Sequence, residues 1–164
     1  MRKLIWVAIA AAGLSGCGES TGEAAAEAMA SQMLGQDVEV DADGETVTIG
    51  DVRMSSGKAA VVPDDFPSDV FLPDDYTMES LIQSPQSTAL HMNTPVAVDA
   101  LYADATDAMA KAGWTAGWNM PPSEGTGMAS FEKDDRRATL TMDDRGEEGT
   151  FYTVETGVNA TTQE

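Results

Sequence analysis

His91 and four pairs of adjacent aspartates are the residues of this chain with the greatest capacity for catalysis, and their spacing argues against it. His91 is the sole histidine, so any Ser-His-Asp or Cys-His arrangement must use it, and no G-x-S-x-G nucleophile elbow is present. It stands between Leu90 and Met92 in a segment of strand character, where an ordinary sheet position is the expected role. The aspartate pairs are Asp64-Asp65, Asp74-Asp75, Asp134-Asp135 and Asp143-Asp144. Each falls at an expected turn or strand end, where Asp caps the backbone. A glycosidase needs two carboxylates facing each other across a cleft, which sequence neighbours do not supply. One Cys and one His cannot make a zinc or copper set, and the ten Met residues, scattered through apolar stripes, read as packing. No Gly-rich phosphate loop occurs. The chain is therefore read as non-enzymatic and without a cofactor. A hydrolase built on Asp134 and Asp135 is the least favoured alternative.

The acids Glu39, Asp41 and Asp43 raise a calcium reading. An EF-hand loop needs D-x-[DN]-x-[DN]-G and a Glu at position twelve. Counting from Glu39 places Asp41, Asp43 and Gly44 correctly, but the first ligand is Glu and position twelve is Gly50. No helical pattern flanks it. A hairpin turning at Asp43-Gly44 is the expected structure.

Cys17, the only cysteine, has a different chemistry in view. It closes a segment that begins Met1-Arg2-Lys3 and runs apolar from Leu4 to Leu14. A basic start, an apolar stretch and a small-residue exit make a secretory signal peptide over residues 1–16. The stretch is shorter than the roughly 20 apolar residues a spanning helix needs. Leu14-Ser15-Gly16-Cys17 resembles the bacterial lipoprotein box, which implies that Cys17 carries the lipid as first residue of the mature chain. One acyl chain holds a protein to a membrane only marginally, and two or more hold it stably. A diacylglyceryl cysteine, usually with a third amide-linked acyl chain such as palmitate, meets that condition. Gly18 and Glu19 follow, with no Asp at the second mature position. That pattern resembles the class sorted to the outer membrane, with the domain on the periplasmic face. With the one thiol used, the domain has no disulfide to rely on.

Loss of residues 1–16 removes Arg2, Lys3 and no acid, which moves the net charge from −19 by two further units to −21. Such a surplus opposes binding to nucleic acid and to anionic lipid, both of which need basic patches. It favours solubility and attraction to cations. A passive acidic surface, or one that buffers calcium, is accordingly the alternative to a binding role.

Periodicity divides the remainder. Ala26, Met29, Ala30, Met33 and Leu34 lie at helical spacing before Gly35, a short stripe that needs a partner surface to persist. Residues 37–49 alternate, with Val38 and Val40 on one face and Val47 and Ile49 on another. The span 17–50 is thus a lipidated N-terminus, helix and hairpin. Residues 51–63 show no period, and Ser55-Ser56-Gly57 reads as linker. In residues 64–158, Thr94-Pro95 is a helix start. Val98, Leu101, Tyr102, Ala105, Ala108, Met109 and Ala112 form the helix's apolar stripe, and Gly113 ends it. Strands are expected at 76–82, 88–93, 114–120, 128–133, 138–142 and 150–155, with a turn at Ser84-Pro85-Gln86-Ser87. Residues 159–164 are expected to be a disordered tail. The expected fold is α+β: a small antiparallel sheet with one main helix on one face, preceded by a short helix and a hairpin.

Phe66-Pro67-Ser68-Asp69-Val70-Phe71-Leu72-Pro73, followed by a helix closing on Ala110-Lys111-Ala112-Gly113-Trp114, resembles a group of uncharacterised bacterial lipoproteins. That group has an Asp/Val-alternating hairpin with Asp-Gly, a Phe-Pro-x-Asp-Val-Pro-Leu segment, a Tyr-containing helix ending in Gly-Trp, and a Lys-Asp/Gly-rich strand pair. Tyr102, Gly113 and Trp114 match, and Phe71 stands where the group usually has Pro. The resemblance covers residues 24–156 and brings no catalytic residues.

Trp114 and Trp118 bracket the strand after the helix, and strict alternation puts them on one side. Either both pack under the helix or both form an apolar patch for a protein or glycan of the envelope. The sequence thus implies a membrane-tethered, non-catalytic module with Trp114 and Trp118 as its candidate contacts.

Overall fold

Period-two alternation, strongest in the second half of the chain, gathers most of it into one sheet. In the computed structural model, which describes residues 31, 32 and 35–158, nine strands are laid down in order. They are β1 (Val38–Val40), β2 (Thr46–Ile49), β3 (Val52–Ser56), β4 (Thr77–Gln83), β5 (Ser87–Thr94), β6 (Thr115–Ser123), β7 (Thr126–Lys133), β8 (Arg136–Asp144) and β9 (Thr150–Val158). One helix, α1 (Val98–Lys111), lies between β5 and β6. The spatial order is β1-β2-β3-β4-β5-β9-β8-β7-β6, and every pairing is antiparallel. The last strand therefore lies inside the sheet and joins two meanders.

The α+β expectation is overturned by this topology. The sheet is not small and does not form a layer balanced by helix: nine strands dominate, and α1 covers only the end formed by β6, β7 and β8. Over residues 35–158 the protein is a β fold with one α-helical patch. Much of the difference lies in residues 51–63, expected as linker. Val52–Ser56 pairs with β2 on one side and β4 on the other, so the hairpin and the later strands share one ladder. Its sequence, Val-Arg-Met-Ser-Ser, lacks clean alternation because the face it presents to the core side ends in a polar pair. Ser55 and Thr46 are both buried, with Oγ and Oγ1 3.3 Å apart. The expected short helix at residues 19–34, Cys17, the signal segment and the tail at 159–164 lie outside the described residues, apart from Ser31 and Gln32.

Register makes the core explicit. Thr46, Ser55, Leu81, Leu90, Val154, Leu140 and Ala129 are successive cross-strand partners from β2 to β7, and all are buried. The row turns polar only at β2 and β3. Leu101, Ala105 and Met109 of α1 close over the β6–β8 end, at 0–1% exposure. The rest of the cover is an irregular strap, residues 60–76, whose Val70 joins the core while Val62, Phe66, Phe71 and Leu72 pack against it. On β1–β3 the aliphatic side chains lie on the opposite face. Val38 pairs with Ile49 and Val40 with Val47, and Val47 in turn faces Met54, so these residues share one surface.

The helix starts three residues later than expected. Thr94 is the buried last residue of β5, Pro95 and Val96 form a bend, and Ala97 occupies the N-cap without a side-chain bond. Thr150 Oγ1 donates instead to Val96 O at 2.6 Å, tying the connection to β9. The C-terminus follows expectation. Gly113, at φ +85°, lets Trp114 N–H reach Met109 O and its own N–H reach Ala110 O, both at 3.0 Å. This is a Schellman turn, with Trp114 packed as its apolar contact.

Candidate binding surface at the edge strand β6

The Schellman turn sends the chain straight from α1 into β6 and fixes Trp114 at 5% exposure. Its Nε1–H donates to Asp69 O at 2.8 Å, and the Arg136 guanidinium lies 4.9 Å from its ring centroid. Asp69 is the hub of this corner. Arg136 Nη1 and Nη2 donate to its two carboxylate oxygens at 2.8 Å, and Lys133 Nζ donates to Oδ2 at 2.7 Å and to Ala112 O at 2.7 Å. The Arg136 bonds foremost, and Lys133 next, hold the Asp69 carboxyl far below the usual carboxylate range against the opposing effect of burial. This bidentate pair joins the strap to the β7–β8 turn.

Trp118 has a different fate, and the reason is a bulge. Ala116 pairs with Phe131 and Asn119 with Ala129, so Gly117 and Trp118 together oppose the single residue Ser130. Ser130 Oγ donates to Trp118 O at 2.8 Å. The inward position passes to Asn119, whose Oδ1 accepts from Tyr102 OH of α1 at 3.2 Å. Trp118 is left 59% exposed. The expectation that Trp114 and Trp118 act together is corrected: one is core and the other is surface. Met120 is 39% exposed and pairs with Met128 on the face away from α1, extending the apolar surface beside Trp118. A second one-residue slip separates Met120 from Ser123, around Pro121 and Pro122. Bulges and prolines are both devices that protect a sheet edge from indiscriminate pairing.

The other candidates do not assemble. His91 faces Phe151 edge-on with ring centroids 5.8 Å apart, on the sheet face away from α1. Asp143 Oδ1 accepts from its cross-strand partner Thr126 Oγ1 at 2.9 Å, and Asp144 Oδ1 accepts from Gly146 N–H at 2.7 Å within a turn. Asp134, in the left-handed region at φ +55°, belongs to the β7–β8 turn. Asp43 Oδ1 accepts from Glu45 N–H at 3.0 Å, Asp41 lies 3.8 Å from Arg53, and Glu39 is exposed on β1. Among the described residues no three His, Cys, Asp or Glu side chains converge as a metal site, and no helix is long and apolar enough to cross a membrane.

Sequence reasoning missed Tyr102 as a site residue and the Asp69–Arg136 pair. A Tyr inside an otherwise Ala-rich helical stripe was the available signal for the first. Nothing in the spacing links Asp69 to Arg136. Comparison with protein-family models, with curated proteins and with solved structures finds no match.

Proposed function

We propose that the chain is a lipid-anchored, non-catalytic binding module of the bacterial envelope, held at the outer membrane through Cys17 and presenting its sheet to the periplasm. The observation that carries the binding role is Trp118, 59% exposed beside Met120 on an edge strand. A large aromatic costs least in water when buried, and an exposed one next to other apolar side chains marks a contact surface. The anchor rests on Leu14-Ser15-Gly16-Cys17. A protein or glycan of the envelope is the partner class, and nucleic acid is disfavoured by the charge of −19. The same charge favours the second reading, a passive acidic surface.

The test is a photo-reactive amino acid placed at position 118 in the full chain, with position 61, which is 60% exposed on the strap, as control. Discrete adducts from 118 alone support the module. Identical smears from both positions, or none, leave the passive acidic surface. Fractionation of Cys17→Ala tests the anchor separately: the variant leaves the membrane fraction if Cys17 carries the lipid.

A further inference from the structure

A furrow runs between α1 and β6. The turn at Gly113 reverses the chain, so helix and strand lie antiparallel and their residues form its two banks. One part is a cavity of about 530 Å³ lined by Tyr102, Thr106, Ala110, Trp114, Ala116 and Pro121, apolar apart from the Tyr102 hydroxyl, the Thr106 hydroxyl and the neighbouring Asn119. A second cavity of about 410 Å³ lies further along α1 and β6, where Pro122 continues the strand bank and Asp99, Glu124 and Asp144 are among the lining residues. Among the described residues no Lys or Arg lines either cavity. Gly127 lies against Tyr102 and Pro122: a Cβ there would come within 3.3 Å of Tyr102 Cδ2 and 3.2 Å of Pro122 Cγ. The ring settles where a side chain would have lifted it.

We propose that this furrow docks an extended cationic segment of a partner polypeptide. An apolar side chain of that segment enters beside Tyr102, and a Lys or Arg reaches Asp99, Glu124 and Asp144. The proposal rests on the reading of the chain as a binding module and names the chemistry of its partner. Four observations select this occupant. The nine residues of β6 span about 30 Å at roughly 3.3 Å per residue, a length that suits an extended peptide better than a small molecule. Among the described residues no strand pairs on the outer side of β6, and an edge strand beside a helix suits strand addition. Pro121 and Pro122 have no N–H, so backbone pairing falls to the stretch from Thr115 to Met120, alongside the apolar cavity. Finally, the apolar part leads into an end that carries acids alone, which complements a basic residue about three to five positions from the apolar anchor.

Selection of a random ten-residue peptide display library on the purified full chain tests this, with Ala110→Arg as counter-selection. Ala110 is exposed on the helix, and Arg is a good helix former that fills the furrow with the wrong charge. The expected pool carries an apolar residue and a Lys or Arg about three to five positions apart. Synthetic peptides from that pool should bind at least tenfold more weakly to Ala110→Arg and severalfold more weakly to Glu124→Gln, with unchanged melting of both variants. Val61→Ala, on the strap, should bind them normally. Enrichment that is equal on Ala110→Arg, enrichment without basic residues, or no enrichment at all overturns the furrow proposal. Peptides lost on Trp118→Ala but kept by Ala110→Arg overturn the furrow while supporting the binding-module reading. The two readings therefore fail separately.

Discussion

The core of this protein has two covers that solve the same problem differently. Over β6–β8 the cover is α1, whose backbone satisfies its own hydrogen bonds, so Leu101, Ala105 and Met109 need only fit. The strap at residues 60–76 has no such ladder. It contains two turns, closed by Phe66 N–H to Pro63 O and Val70 N–H to Pro67 O at 3.0 and 3.1 Å. Its other polar groups find partners elsewhere: Phe71 O accepts from Tyr152 OH at 3.1 Å, Asp69 O from Trp114, and the Asp69 carboxylate from Arg136 and Lys133. Burial pushes the Tyr152 hydroxyl far above the usual range, so it stays a neutral donor. A helix can cover a core by shape alone, whereas an irregular segment must be pinned by named side chains.

Four substitutions sharpen or break that contrast. Leu101→Ala, in the helical cover, should cost the most, about 3–4 kcal/mol, because a side chain 1% exposed leaves a cavity. Its effect in chemical denaturation should not depend on pH. Asp69→Asn, at the strap, should cost about 2 kcal/mol near neutrality by breaking a partly buried, charge-assisted pair. Its effect should depend on pH. A carboxyl held low in the folded state stabilises above the ordinary carboxylate value and loses that contribution as pH falls below it. The gap between wild type and Asp69→Asn should therefore be full above about pH 5 and close toward pH 2. A constant gap would mean that the strap is held by packing alone. Tyr152→Phe should cost about 1 kcal/mol, the loss of one buried hydrogen bond that leaves Phe71 O unpaired. Its signature is faster amide exchange in the strap with little change in α1. Lys111→Met should leave melting unchanged, because the Asp107 pair is fully in solvent. A measurable loss there would show that the helix is less self-sufficient than its packing implies.

Local order was legible, and its assembly was not. The hairpin at Asp43-Gly44, the turn at residues 84–87, the stop at Gly113 and the six later strands all follow from alternation and turn chemistry, with ends shifted by one to a few residues. The strand β3 was missed because its buried position is Ser55, a polar residue paired with Thr46 rather than an aliphatic one. The start of α1 was placed early because Thr94-Pro95 has cap chemistry, while Thr94 is already committed to β5 opposite Thr150. The Trp114/Trp118 pairing failed on the bulge at Gly117, since a single extra residue reverses every later alternation. The furrow was illegible for a further reason. It is made by the antiparallel return of β6 along α1 and by the absence of a side chain at Gly127, neither of which leaves a periodic mark.

The central place of β9 has a consequence for how the molecule comes into being. Every other pairing in the sheet joins strands that are neighbours in sequence, whereas β9 alone bridges the early meander at β5 and the late one at β8. A chain emerging from its N-terminus can zip two independent sets of hairpins, but it cannot bring them together until β9 has arrived. Closing so long a loop is slow relative to forming hairpins. Assembly should thus end in one concerted step, and a product cut short before Thr150 should hold two unjoined half-sheets with Leu90 and Leu140 exposed.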